Sequence, residues 1–230
     1  MLSEPLALPL YGVRRTPMPA SFSPRWEDPV WAEAETIEVG SFRSESSSHR
    51  PRTSVRLLYD ALGIHGIFQV QDRFVRCTRT RYFEDVWKDS CVEFFVQPKP
   101  DRGYFNFEFN CEGAWLCSYI VDPERTPGGF KDYTRVPAEL GQTIRVSSSL
   151  PGRTDPEITE PTVWTLCFSI PSVLLEHYAG PIGSPAGQCW RGNFYKCADE
   201  TSHPHWASWA PVDQLNFHRP DCFGRLQFEA

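Results

Sequence analysis

Two segments joined by a short turn, C-V-E-F-F-V-Q at Cys91–Gln97 and Y-F-N-F-E-F-N at Tyr104–Asn110, alternate residue by residue. A period of two fits a strand with one face on a core and the other turned away from it. Val92, Phe94 and Val96 share the apolar face of the first segment, and Phe105, Phe107 and Phe109 that of the second. Glu93, Gln97, Tyr104, Asn106, Glu108 and Asn110 fall on the opposite, polar face, with Trp87 at its edge. The alternation predicts that this face is wet. It is not the Lys/Thr/Ser mixture that merely keeps a strand soluble. Carboxylates and carboxamides match sugar hydroxyls as hydrogen-bond partners, and an indole stacks on the apolar C–H face of a pyranose. The competing reading is an ordinary solvated surface.

The same periodicity recurs along the chain. S-V-R-L-L-Y-D and I-H-G-I-F-Q-V read as a hairpin across Asp60–Gly63, with Val55, Leu57 and Tyr59 facing the way of Ile64, Phe68 and Val70. A strand follows Gly113, two more flank the turn 151–161, and Trp164, Leu166, Phe168 and Ile170 point one way. Q-C-W-R-G-N-F-Y-K-C and F-G-R-L-Q-F read as the last strands. Trp31, Trp115 and Trp164 are expected in the core. Segments 44–53, 73–87 and 122–142 read as loops, and P-S-V-L-L-E-H-Y at 171–178 as the one helix. Twenty-one prolines and 15 glycines punctuate the chain too often for long helices. The expectation is an extended segment over 1–24, then one all-β domain over 25–230. That domain is a two-sheet antiparallel β-sandwich of about nine to eleven strands with one short helix.

The formal charge of -6 argues against nucleic acid, which asks for a basic patch. No run of about 18 apolar residues suggests a membrane span. Pro5 and Pro9 interrupt the N-terminal hydrophobic stretch, which also lacks a basic lead. The expected location is therefore cytoplasmic, or secreted or periplasmic if the native chain starts earlier. Eight cysteines without a C-x-x-C pair read as buried free thiols, with Cys189 and Cys197 the pair to examine for a bridge.

Four features occur in order: a Trp-bearing loop before D-S-C-V-E-F-F-V, the strand Y-F-N-F-E-F-N, the segment W-R-G-N-F-Y at Trp190, and the ending W-A-S-W-A-P…N-F-H-R-P-D-C-F-G-R-L-Q-F. Together they make residues 25–230 resemble the family 9-like carbohydrate-binding modules of the DOMON-like superfamily, in their free-standing branch. The resemblance implies a non-catalytic sandwich that holds a mono- or oligosaccharide, often at a chain end, between two tryptophans. It places Trp87 as the first indole and Glu93 as a hydrogen-bonding partner of the sugar. The second indole would be Trp190, accompanied by Asn193, or else Trp206 or Trp209. Glu108 and Asn110 of the polar face complete the candidate set. His218, in N-F-H-R-P, is expected to make a structural hydrogen bond.

Other readings remain open at this point. Glu93 and Glu108 on neighbouring strands could serve a glycoside hydrolase-like or epimerase-like enzyme, since a retaining hydrolase needs two carboxyls roughly 5–5.5 Å apart. The aromatic surface could instead dock a protein partner of unknown identity. Structural calcium, which the resemblance allows, would draw on Asp60, Asp72, Asp85, Asp89 or Glu112, although no D-x-D-x-D-G loop occurs. His203 and His205 near Cys197 and Asp199 form the nearest approach to a transition-metal cluster, with Pro204 limiting their convergence. The haem binders among the proteins it resembles use a Met/His pair, and Met1 and Met18, the only methionines, lie in the N-terminal extension, so no haem is expected.

Overall fold

The computed structural model describes residues 8–17, 22–150, 152 and 154–230. Its strands are β1 Leu10–Arg15, β2 Ile37–Glu38, β3 Ser41–Phe42, β4 Arg52–Tyr59, β5 Gly63–Asp72, β6 Cys91–Gln97 and β7 Tyr104–Asn110. They continue as β8 Trp115–Thr126, β9 Gly129–Arg135, β10 Arg145–Ser148, β11 Thr162–Pro171, β12 Cys189–Cys197, β13 Trp206–Ser208 and β14 Gly224–Phe228. One sheet runs β9-β8-β7-β6-β12-β14-β1 and the other β10-β11-β5-β4-β1. Short β13 and β3 extend the first sheet beside β12, and β2 flanks β4.

The two sheets form a β-sandwich around one aromatic core. Val92, Phe94, Val96, Phe105, Phe107 and Phe109 of the first sheet meet Val55, Leu57, Phe68, Val70, Trp164, Leu166 and Phe168 of the second. Phe168 reaches across the gap, stacked 5.6 Å from Phe94 and 5.3 Å from Phe109. Such ring pairs add to the stabilisation that their buried area already supplies. Gly66 lies opposite Phe168 in the β5–β11 register, and a Cβ there would overlap the Phe168 ring. The absent side chain is what lets the ring lie flat on the neighbouring strand.

The strand count exceeds the expected range because five strands carried no readable alternation. β2, β3 and β13 are two or three residues long, too short for a period to show. β9 falls in the segment read as a loop over 122–142; it pairs with an extended β8 through register shifts, which scramble the alternation. β1 falls in the 1–24 segment, of which residues 1–7 and 18–21 lie outside the described residues, as do Met1 and Met18. It pairs in parallel with β14 through Leu10–Val13 and with β4 through Arg14–Arg15, so one strand passes from one sheet to the other. The sandwich is thus antiparallel except along β1. The Tyr11 hydroxyl anchors that strand, donating to the Glu35 carbonyl (2.7 Å) and accepting from the Leu57 amide (3.1 Å).

The expected helix is present as α3, Ser172–Ala179, ended by Gly180 at φ 73. Two one-turn helices accompany it, α1 Pro29–Ala32 and α2 Ala138–Gly141. α1 buries Trp31 against Leu58, Ile67 and Cys167, covering the outer face of the β4–β5 pair. Trp164 is fully buried as expected, whereas Trp115 is only half-buried and rests on Tyr82.

Candidate functional site

The polar face of β6 and β7 is buried rather than wet. Glu93, Asn106, Glu108 and Asn110 are at most 4 % exposed. The β8–β9 hairpin and the loop 214–218 rise over this face and convert it into the floor of a cavity of about 790 Å³. That volume lies within the range of small-molecule sites. Trp87, on a 3-10 turn at Val86–Lys88, and Trp206, at the start of β13, both line the cavity. Both indoles are half-buried and pack beside Val86, Cys91, Leu116 and Cys197.

Each floor group is held from below. Glu93 and Glu108 stand directly opposite each other in the β6–β7 register. Glu93 Oε1 accepts the Cys197 thiol at 3.1 Å. The Asn106 side-chain amide donates to Glu108 Oε1 at 2.8 Å, while its oxygen accepts the Ser118 amide at 2.7 Å. Glu108 Oε2 is buried without a hydrogen-bond partner among the described residues. Asp199, in the loop before β13, accepts from the Trp206 indole N–H at 2.8 Å and so fixes the plane of that ring.

Burial sets the protonation of this floor. It drives the Glu93 carboxyl well above its ordinary range, with the Cys197 thiol and Glu108 adding to the rise. Burial lifts Glu108 to about 7 against the lowering pull of Asn106 and Arg125, and Asp199 to about 6 against Trp206. Burial also pushes His218 well below the ordinary imidazole range. His218 Nδ1 shares a hydrogen bond of 2.9 Å with the buried Tyr104 hydroxyl. This is the structural hydrogen bond expected of His218, made at the edge of the cavity.

Of the eight residues singled out in the sequence, four line the cavity: Trp87, Glu93, Glu108 and Trp206. The other four do not. Trp190 is 1 % exposed, packs on Phe228 at 4.5 Å and donates its N–H to Gln188. Asn193 is fully buried and spends its amide on the backbone of Ala210 and Phe194. Trp209 packs toward Phe194 and Gly224 on the core side. Asn110 bonds the Arg79 carbonyl, Asp89 and the Ala114 amide. Asp89 also receives Thr78 and Arg79, so this knot braces the loop that presents Trp87. The cavity walls add groups that the sequence does not assign to a sugar site, chiefly Arg125, Phe130 and Phe217, together with Asp199, which it sets beside His203 and His205. They lie in segments without periodicity, Arg125 and Phe130 within the stretch 122–142 that reads as a loop.

The five carboxylates considered for calcium do not converge. Asp60 caps the 60–63 turn, Asp72 pairs with His49 and buried Lys196, Asp85 with Lys88, and Asp89 with Arg79. Glu112 lies near Thr154 and Cys77. His203 and His205 do not converge on a metal either. His203 stacks on Phe74, and His205 meets Lys196 at 2.9 Å. Among the described residues, the one group of three donors within 4.8 Å is Cys91, Glu93 and Cys197, all buried. Two thiols and a carboxylate suit a softer ion than calcium. Cys189 and Cys197 sit at opposite ends of β12, which rules out a bridge between them.

A model of carbohydrate-binding family 9 matches residues 30–228. The chain belongs to that family. Among solved structures, one from Bacteroides uniformis, provisionally described as a carbohydrate-binding protein, is 28 % identical, with a TM-score of 0.84 over 97 % of this chain and 100 % of that one. A family 9 module from Caldicellulosiruptor kristjanssonii in complex with glucose is 12 % identical, with a TM-score of 0.64 over 96 % of each chain. The cellotriose complex of a family 9 module from the same organism gives the same identity and TM-score, over 96 % of this chain and 94 % of that one. At 12 % identity these modules speak to the fold of the family 9 sandwich. No curated protein matches the chain.

Proposed function

We propose that this family 9 chain binds a mono- or oligosaccharide, without transforming it, in the cavity bounded by Trp87 and Trp206. The observation that carries the reading is the combination of two half-buried indoles with a floor of fixed polar groups in one cavity. Indole faces take the C–H surface of a sugar ring, while Glu93, Glu108 and Asn106 offer hydrogen bonds to the polar groups on its rim. A buried polar atom without a partner costs free energy until a ligand group meets it, and Glu108 Oε2 is such an atom. The family match and the sugars held by the family 9 neighbours support this reading.

The hydrolase-like alternative is weaker on geometric grounds. A glycosidase places its acid and its nucleophile or base on either side of the bond to be cut. Here both carboxyls rise from adjacent strands of one floor. A glycan screen followed by calorimetry on wild type, Trp87→Ala and Trp206→Ala tests the proposal. Micromolar to millimolar binding, roughly -8 to -4 kcal/mol, that weakens in both variants is the expected result. A sugar bound with unchanged affinity by both variants would place the site elsewhere.

A further inference from the structure

The cavity floor is acidic beyond what a neutral sugar requires. Glu93, Glu108 and Asp199 all face it, and Asp85 stands nearer the mouth. Glu93 receives a thiol, Glu108 one carboxamide and Asp199 one indole N–H. None of these partners carries charge. The cations that face the cavity, Arg125 and Arg135, are exposed, and their guanidinium groups lie over Phe130 (4.2 Å) and Phe83 (4.8 Å). Lys88 is engaged by Asp85 and Glu200. Lys196 is buried between Asp72 and His205, and its backbone neighbour in β6 is core-facing Val92. The buried carboxyl pair at the floor therefore lacks an adjacent buried cation among the described residues, and one of its oxygens lacks any hydrogen-bond partner.

We infer that this site selects an amino sugar, a pyranose whose ring bears a protonated amine, with the ammonium group seated against Glu108 Oε2 and the facing Glu93 carboxyl. The inference rests on the sugar-binding reading and deepens it. A hydroxyl donates one hydrogen bond and offers no charge that would favour ionisation of the carboxyls. An ammonium donates three, and its bonds to carboxylate are charge-assisted and roughly twice as strong as neutral ones.

The protonation of the floor supplies a second signature. In the empty cavity burial keeps Glu108 near 7, with Asp199 and Asp85 raising it further and Arg125 opposing them. Glu93 is raised by burial, Cys197, Glu108 and Asp199, and His218 at the cavity edge stays neutral. A bound ammonium favours the ionised carboxyls, so its arrival expels protons. Amino-sugar affinity must then rise with pH up to about 7. Further increase ends as the amine itself loses its proton, near 8 for a typical α-amine. A neutral sugar has no such requirement.

Calorimetry with matched pairs decides the matter: glucose and glucosamine, galactose and galactosamine, mannose and mannosamine, all in buffer containing EDTA. The expected result near pH 7 is that at least one amino sugar binds about tenfold or more tightly than its neutral counterpart. That advantage should shrink near pH 5.5. In Glu108→Gln, whose fold is verified by its melting curve, the ratio of amino-sugar to neutral-sugar affinity should fall about tenfold, whatever the loss both ligands share. If hexoses bind but no amino sugar exceeds its counterpart, the amino-sugar inference falls and the sugar-binding reading stands. If the advantage survives Glu108→Gln or is the same at both pH values, the assignment to this carboxyl pair is overturned. If no sugar binds at millimolar concentration, both readings fall together.

Discussion

Glu93 and Glu108 stand directly opposite each other across β6 and β7, both at most 4 % exposed, with Glu108 Oε2 lacking a hydrogen-bond partner among the described residues. Two carboxyls in this position cannot both ionise without cost, because burial removes the water that would stabilise either charge.

Stability should therefore fall as pH rises. The folded-state pKa of Glu108, about 7, lies above its ordinary value of 4.5, so its contribution is present in full below 4.5 and lost as pH climbs through 7. Glu93 shifts in the same direction. Glu108→Gln should be more stable than wild type near pH 8, by an amount on the order of 3 kcal/mol at most, and should gain nothing below pH 4.5. Melting temperatures of both proteins across that range provide the check.

Trp206 and Trp190 should separate binding from stability. Trp206→Ala is expected to weaken sugar binding about tenfold or more with a small change in melting temperature. Trp190→Ala removes a fully buried indole and should cost about 3–5 kcal/mol of stability. Parallel calorimetry and denaturant titration distinguish the two. Equal losses of affinity without destabilisation would return Trp190 to the site.

Lys196 pairs with Asp72 at 3.6 Å, and both side chains are at 0 % exposure. Lys196→Met leaves the Asp72 carboxylate buried with His49 and the Arg73 amide but no lysine charge, and should destabilise by about 3–5 kcal/mol. Adding Asp72→Asn should recover much of that loss, because it removes the stranded charge. Urea midpoints of the two variants test this.

Gly66→Ala puts a methyl group into the Phe168 ring opposite it. The expected cost is about 1–3 kcal/mol, through displacement of a ring that also stacks on Phe94 and Phe109. A compensating Phe168→Leu in the same chain should restore part of the loss relative to the Gly66→Ala variant. A melting temperature unaffected by Gly66→Ala would show that the two strands can separate locally.

The cysteines should be free: titration of the denatured, unreduced protein should return close to all eight thiols. In the native state Cys189, the exposed one, should react first. Burial lifts Cys91 to about 12, with Glu93 and Glu108 adding to the rise, so it should resist alkylation at neutral pH.

The amino-acid sequence by itself determined the sandwich, because local alternation places Phe94, Phe107, Trp164 and Phe168 on core faces wherever their strands end up. It also determined α3, through Pro171 at its start and Gly180 at its end. The motif order carried the family. Tertiary structure alone decided that the polar face of β6 and β7 is enclosed. A period of two separates two faces but does not say what covers the second, and the cover comes from the irregular β8–β9 hairpin and the loop 214–218. It likewise decided between tryptophans of equal local promise. Trp190 lies opposite Leu226 of β14 and is sealed by Phe228, whereas Trp206 starts a three-residue strand whose partner loop brings Asp199 to its indole. Those neighbours are distant in sequence, and no local pattern encodes which of two indoles a distant strand will bury.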